Sequence, residues 1–153
     1  MDAKLINPFV KATLNVLKTM AFLDVEPKQP YLKKDIKAKG DVSSVIGLSG
    51  ETSGTISVSF MEPCILSIVS NMFGEKMTEL NEEVMDAVGE IANMISGQAR
   101  QDLENMGKVL YAAIPTVISG KDHTISHMTT APIMAVPFHT EYGNFTIEVC
   151  FED

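Results

Sequence analysis

Between Asn81 and Gly107 the chain carries its longest helical pattern. At about 100° per residue, Val84, Val88, Ile91, Ile95 and Ala99 fall on one stripe, and Gly107 supplies a stop. A helix of this length, from about 81 to 106, needs a broad apolar surface to lie on, and alternating segments elsewhere provide one. Ile46 and Leu48 alternate with small residues. After the Ser49-Gly50-Glu51-Thr52-Ser53-Gly54 turn, Ile56, Val58 and Phe60 alternate with Thr55, Ser57 and Ser59. That pattern predicts a β-hairpin with one apolar and one hydroxyl-rich face. Near the end, Phe145, Ile147, Val149 and Phe151 point one way and Thr146, Glu148, Cys150 and Glu152 the other. Two further strand candidates run from Lys108 to Ile118 and from Ile125 to Phe138. Pro132 and Pro137 lack a ladder donor, which predicts that the latter strand is broken or lies at an edge.

Two more helices are expected. Asn7-Pro8 reads as cap and first turn of one that continues through Phe9, Val10, Thr13, Val16, Leu17 and Met20 to about Phe22. Glu62-Pro63 opens another through Cys64, Leu66, Val69 and Met72, stopped by Gly74. Pro27 and Pro30 make 24–40 a loop with at most a short strand near Tyr31. Helices and hairpins are segregated along the chain, so the expected fold is α+β: a mainly antiparallel sheet packed against about three helices. At 153 residues this is one domain, 1–153, with no internal repeat of 20–50 residues.

The balance of charge narrows the partners. Twelve basic against twenty acidic residues leave a net charge of −8, which disfavours nucleic acid. The one basic cluster, Lys33, Lys34, Lys37 and Lys39, reads as a solvated loop. No apolar run approaches the roughly 20 residues of a membrane-spanning helix, and Met1-Asp2-Ala3-Lys4 does not resemble a signal peptide, so no membrane insertion is expected. Two cysteines, Cys64 and Cys150, make no disulfide framework and read as packing residues; with ten methionines they fit a reducing, cytoplasmic setting.

The common catalytic motifs are missing. Gly47-Leu48-Ser49-Gly50-Glu51 fails as a nucleophile elbow at its last position, and Ser119-Gly120-Lys121-Asp122 is a turn, not a phosphate loop. His123 and His127 stand four apart in a strand or loop, where that spacing does not converge on a metal, so no metal site is expected; His139 reads as a surface residue. The long helix is different. Opposite its core stripe lie Asp86, Glu90, Asn93, Gly97 and Arg100. A polar face opposite a core stripe is ordinarily no more than a solvated surface. Yet Asn is a mediocre helix former, and a mid-helix Gly costs about 1 kcal/mol relative to Ala, so helix stability alone does not account for Asn93 and Gly97. A carboxylate and a carboxamide three residues apart project together from a rigid element, and Gly97 leaves space for a partner.

Asp86-x-x-x-Glu90-x-x-Asn93, followed by Pro115, resembles the signature of the CheC/CheX/FliY chemotaxis phosphatases. Val45-Ile46-Gly47-Leu48-Ser49-Gly50, Gly54-Thr55-Ile56, Gly89-Glu90-Ile91-Ala92-Asn93-Met94 and Pro115-Thr116-Val117-Ile118-Ser119-Gly120 extend the likeness to CheX-type members over essentially the whole chain. CheC-like members carry two copies of the motif. Here the first helix offers Asn7, Lys11 and Leu14 at comparable spacing, so a second active copy is absent.

The resemblance implies a CheC/CheX-like fold, a homodimer joined through its sheets, and a hydrolase acting on the aspartyl phosphate of a phosphorylated CheY-like response regulator in chemotaxis or a related two-component pathway. By position, Glu90 and Asn93 take the catalytic roles, with Asp86, Gly97 and Pro115 supporting the motif. An acyl phosphate is already activated and needs no protein nucleophile, only a water held in line with the P–O bond. Asn93 would orient that water, and Glu90 would dock a cation of the receiver. No cofactor is expected on this chain, and Mg²⁺ is expected on the partner receiver domain. The alternative is a non-catalytic receiver-binding or motor-switch adaptor of the same fold, using edge strands and the lysine-rich loop.

Overall fold

The computed structural model describes residues 3–127 and 130–152. Its elements in chain order are α1 (Ala3–Ala21), β1 (Glu26–Pro27), β2 (Tyr31–Lys33), β3 (Val42–Gly50), β4 (Gly54–Phe60), α2 (Glu62–Phe73), α3 (Glu82–Asn105), β5 (Leu110–Ala112), β6 (Thr116–Ser119), β7 (Ile133–Thr140) and β8 (Gly143–Phe151). The eight strands form one antiparallel sheet in the order β1-β7-β8-β4-β3-β5, with β2 also paired to β7 and β6 to β3. Three helices and this sheet are the α+β arrangement that the segregated pattern predicts.

The three helices cover one face of the sheet. Val42, Ile46, Leu48, Ile56, Val58, Phe60, Phe138, Phe145, Ile147, Val149 and Phe151 point into the same core as Phe9, Val16 and Leu17 of α1, Ile65, Ile68 and Val69 of α2, and the α3 stripe. Phe138, Phe145 and Phe60 form a row across β7, β8 and β4, with ring centroids 4.9 and 5.2 Å apart. Such cross-strand aromatic pairs fix register as well as burying area.

The order of elements is two-fold. A helix, a strand broken in two and a hairpin (α1, β1/β2, β3–β4) recur as α3, β5/β6 and β7–β8, and the two hairpins meet at the centre of the sheet through β4 and β8. Each broken strand flanks the hairpin of the other half. This pairing explains Pro137. β7 is continuous and lies inside the sheet, not at its edge; it is the neighbouring strand that is broken. Pro137 sits opposite the gap between β1 and β2, where its carbonyl accepts from the Lys28 N–H and no donor is required of it.

Several boundaries move. α1 begins at Ala3, so Asn7 is no cap and Pro8 lies within the helix, where it removes one hydrogen bond near the first turn. The hairpin turn shortens to 51–53. The Lys108–Ile118 segment is two strands, β5 and β6, split around 113–115, and the next strand starts only at Ile133. α2 ends as expected, on Gly74 at φ 70°.

The hydroxyl-rich face of the hairpin is buried as well: Ser43, Thr55, Ser57 and Ser59 are at most 1% exposed. Residues 120–127 and 130–132 lie over this face beside 34–40. Ile125 is fully buried and its N–H donates to the Ile36 carbonyl; His123 shares a 2.7 Å hydrogen bond between Nε2 and Ser43 Oγ; the Cys150 thiol donates to the Ala131 carbonyl. Lys33 corrects the reading of its cluster. It is buried at the end of β2, with Nζ 2.9 Å from Glu148 Oε2, while His127 Nε2 lies 3.0 Å from the other carboxylate oxygen. Lys34, Lys37 and Lys39 are exposed.

Candidate functional site

The site is built on α3. Asn81 caps the helix, its side chain accepting from the Val84 N–H at 2.9 Å, and Glu82 and Glu83 place negative charge in the first turn, where the helix dipole favours it. The stripe Val84, Val88, Ile91, Ile95 and Ala99 is fully or almost fully buried and locks the rotation of the helix about its axis. With that face fixed inward, Asp86, Glu90 and Asn93 are exposed on the opposite one, and Gly97 and Arg100 are half-buried on the same side. Glu90 and Asn93, three residues apart, stand about 5–6 Å from each other at their Cβ atoms. Among the described residues neither side chain makes a hydrogen bond or ion pair, and the same holds for Asp86. The carboxylate and the amide therefore keep their full hydrogen-bonding capacity for something outside the chain.

Pro115 joins this face from the sheet. It lies in the 113–115 interruption between β5 and β6, and a Cβ built on Gly89 would touch Val117 at 3.4 Å and Pro115 at 3.8 Å. Any side chain longer than a methyl at Gly89 would push this corner off the helix. Pro115 thus borders Gly89, one turn before Asn93. Gly89 carries no periodic signal in the sequence: a buried glycine on a helix edge is silent until the neighbouring strand is seen to split beside it. At Gly97 an added Cβ would meet nothing but Arg100 Nη2, at 3.9 Å, so the space there opens outward.

The face is convex. A groove of about 620 Å³ lies at the C-terminal end of α3 between Lys4, Gly50, Glu51, Met106, Lys108 and Glu152, remote from Glu90 and Asn93. Small-molecule sites are concave and bury most of their ligand. A displayed amide and carboxylate on a rigid convex helix instead suit a substrate that brings its own pocket. The two histidines of 120–132 face separate partners, and among the described residues no three His, Cys, Asp or Glu side chains gather as metal ligands. His139 is exposed and pairs with Asn144 Oδ1.

This α+β fold is that of CheC-like and CheX proteins of known structure. The profile described as chemotaxis phosphatase CheX matches residues 42–139, and the chain belongs to the CheX family. It is 32% identical over 125 residues to the CheY-P phosphatase CheX of Thermotoga maritima, covering 80% of this chain and 79% of that one. Among solved structures it is similar to the chemotaxis protein CheX of Desulfovibrio desulfuricans, with a TM-score of 0.90, 49% identity and coverage of 97% and 99% of the two chains. It is also similar to CheX in a CheX–CheY–BeF₃–Mg²⁺ complex from Borrelia burgdorferi, with a TM-score of 0.83, 26% identity and 97% of each chain covered.

Proposed function

We propose that this chain hydrolyses the aspartyl phosphate of a CheY-like receiver, supplying Asn93 and Glu90 to the receiver's own active centre. The observation that carries the proposal is the pair itself: an amide and a carboxylate one helical turn apart, both exposed and both without partners among the described residues. Membership of the CheX family and the likeness to a CheX in complex with CheY support the choice of substrate.

The chemistry asked of the chain is small. The acyl phosphate is an activated phosphoryl donor whose leaving group is the receiver's own aspartate carboxylate, so the barrier is lowered by placing a water in line with the P–O bond that breaks. The Asn93 carboxamide can accept from that water with its carbonyl oxygen while its N–H₂ donates to a phosphoryl oxygen. Its neutrality matters, because a carboxylate at the same place would repel the phosphoryl group. Glu90, a turn earlier, pairs with a cation on the receiver and sets the register of Asn93 over the phosphorus. Mg²⁺ is expected on the receiver and not on this chain. Two copies joined through their sheets form the expected assembly, to be checked by a solution mass of about twice 16.7 kDa.

The test charges a receiver with acetyl phosphate and follows inorganic phosphate release. Asn93→Ala is expected to lose at least ~100-fold in rate, about 2.7 kcal/mol of barrier. Glu90→Ala is expected to weaken the complex as well as the rate. Parent-like hydrolysis by both variants would show that the site lies elsewhere.

A further inference from the structure

We infer that Arg100 is a third residue of the receiver-facing surface, a docking cation that grips a carboxylate on the rim of the receiver's phosphorylation pocket. The inference rests on the reading just given and adds a residue to it. Arg100 is the only arginine in the chain; the other eleven basic residues are lysines. It is also the only basic residue of α3, in a helix with six carboxylates. It does not occupy the last turn, where the helix dipole would favour a cation, but lies on the Asp86–Glu90–Asn93 face.

No local ion pair accounts for its charge. Glu104 stands four residues further on, at the spacing of a helix ion pair, yet Arg100 makes no ion pair among the described residues. Its Nε donates instead to the buried Ser96 Oγ at 3.2 Å, one turn back, and Nη2 lies 3.9 Å from where a Cβ on Gly97 would be. The side chain is therefore laid along the helix toward its N-terminus, over the missing side chain of Gly97. Asn93 and Arg100 are about 10.5 Å apart along the axis, and the backward lean brings the guanidinium to about one turn from the amide.

That position has a natural counterpart. A protein that carries an aspartyl phosphate with Mg²⁺ must gather carboxylates around it, since Mg²⁺ takes oxygen ligands. Two acidic residues of this face, Asp86 and Glu90, approach that anionic site together with Asn93, in a chain that is itself acidic. A cation at the edge offsets the repulsion, and a guanidinium held by Ser96 presents a planar fork suited to a carboxylate, which an ammonium does not.

The experiment measures steady-state phosphate release for the parent, Arg100→Gln and Arg100→Lys, and separately the binding of each Arg100 variant in an Asn93→Ala background to receiver charged with acetyl phosphate. Arg100→Gln should raise KM by about tenfold at low salt with kcat within twofold, show a smaller defect in kcat/KM as salt is raised, and weaken binding of the Asn93→Ala protein by a similar factor. Arg100→Lys should fall between parent and Arg100→Gln. A KM within twofold of the parent, or a loss confined to kcat, overturns the inference, as does a loss matched by a lower unfolding temperature. Failure of the parent to hydrolyse would instead overturn the proposed function, while the binding arm still reads Arg100 alone.

Discussion

Lys33 Nζ lies 2.9 Å from Glu148 Oε2, with both side chains withdrawn from solvent on the outer face of the sheet. The two residues are 115 positions apart and join β2 to β8 across the intervening β7. Glu148 holds His127 with its second oxygen, so one carboxylate anchors an edge strand and the end of segment 120–127 together. Removing a single partner of such a pair leaves a buried charge uncompensated. Glu148→Ala should therefore cost about 3–5 kcal/mol in urea unfolding, whereas Lys33→Met combined with Glu148→Leu should recover most of that loss. A Glu148→Ala protein as stable as the parent would mean that the outer face is open to water.

Cys64 gives a pH dependence. Burial raises its thiol pKa from 9.0 to about 11, offset in part by the Thr140 hydroxyl. The folded chain thus keeps its proton over a range in which the unfolded chain loses it. Stability is unaffected below pH 9 and falls between about pH 9 and 11, by up to about 2–3 kcal/mol. Cys64→Ala should flatten that part of the stability profile, and the native thiol should resist iodoacetamide at pH 8 until the protein is unfolded.

Gly97 separates stability from activity. An alanine Cβ would find open space apart from Arg100 Nη2. Gly97→Ala should therefore raise stability by about 0.5–1 kcal/mol, since Ala is the better helix former. Gly97→Leu should fold equally well and lose receiver binding, because its side chain would stand where the partner approaches. Thermal unfolding and phosphate release on the same samples check both halves.

The legible parts of this protein are those encoded by short-range periodicity. α3 was readable from its stripe and its Gly107 stop, and its outer face followed from the same 100° step, so Asp86, Glu90, Asn93, Gly97 and Arg100 could be grouped before any coordinates. The hairpin alternation likewise gave the correct inward side of β3, β4 and β8. What was not legible depends on partners distant in sequence. Lys33 sits among three exposed lysines and is buried only because Glu148 meets it; Pro137 is tolerated inside the sheet only because β1 and β2 part opposite it. The two-fold order is hidden because the halves keep the same succession of elements with different residues: Lys11 and Leu14 stand on α1 at the spacing that carries Glu90 and Asn93 on α3.

The central assignment, Asn93 as the group that places water on a partner's phosphorus, is tested most directly by the lifetime of a phosphorylated receiver mixed with excess protein in a single turnover. The parent should shorten that lifetime, and Asn93→Ala should return it to within a few-fold of the receiver alone while still binding the receiver. An Asn93→Ala protein that strips the phosphate at the parent's rate would contradict it.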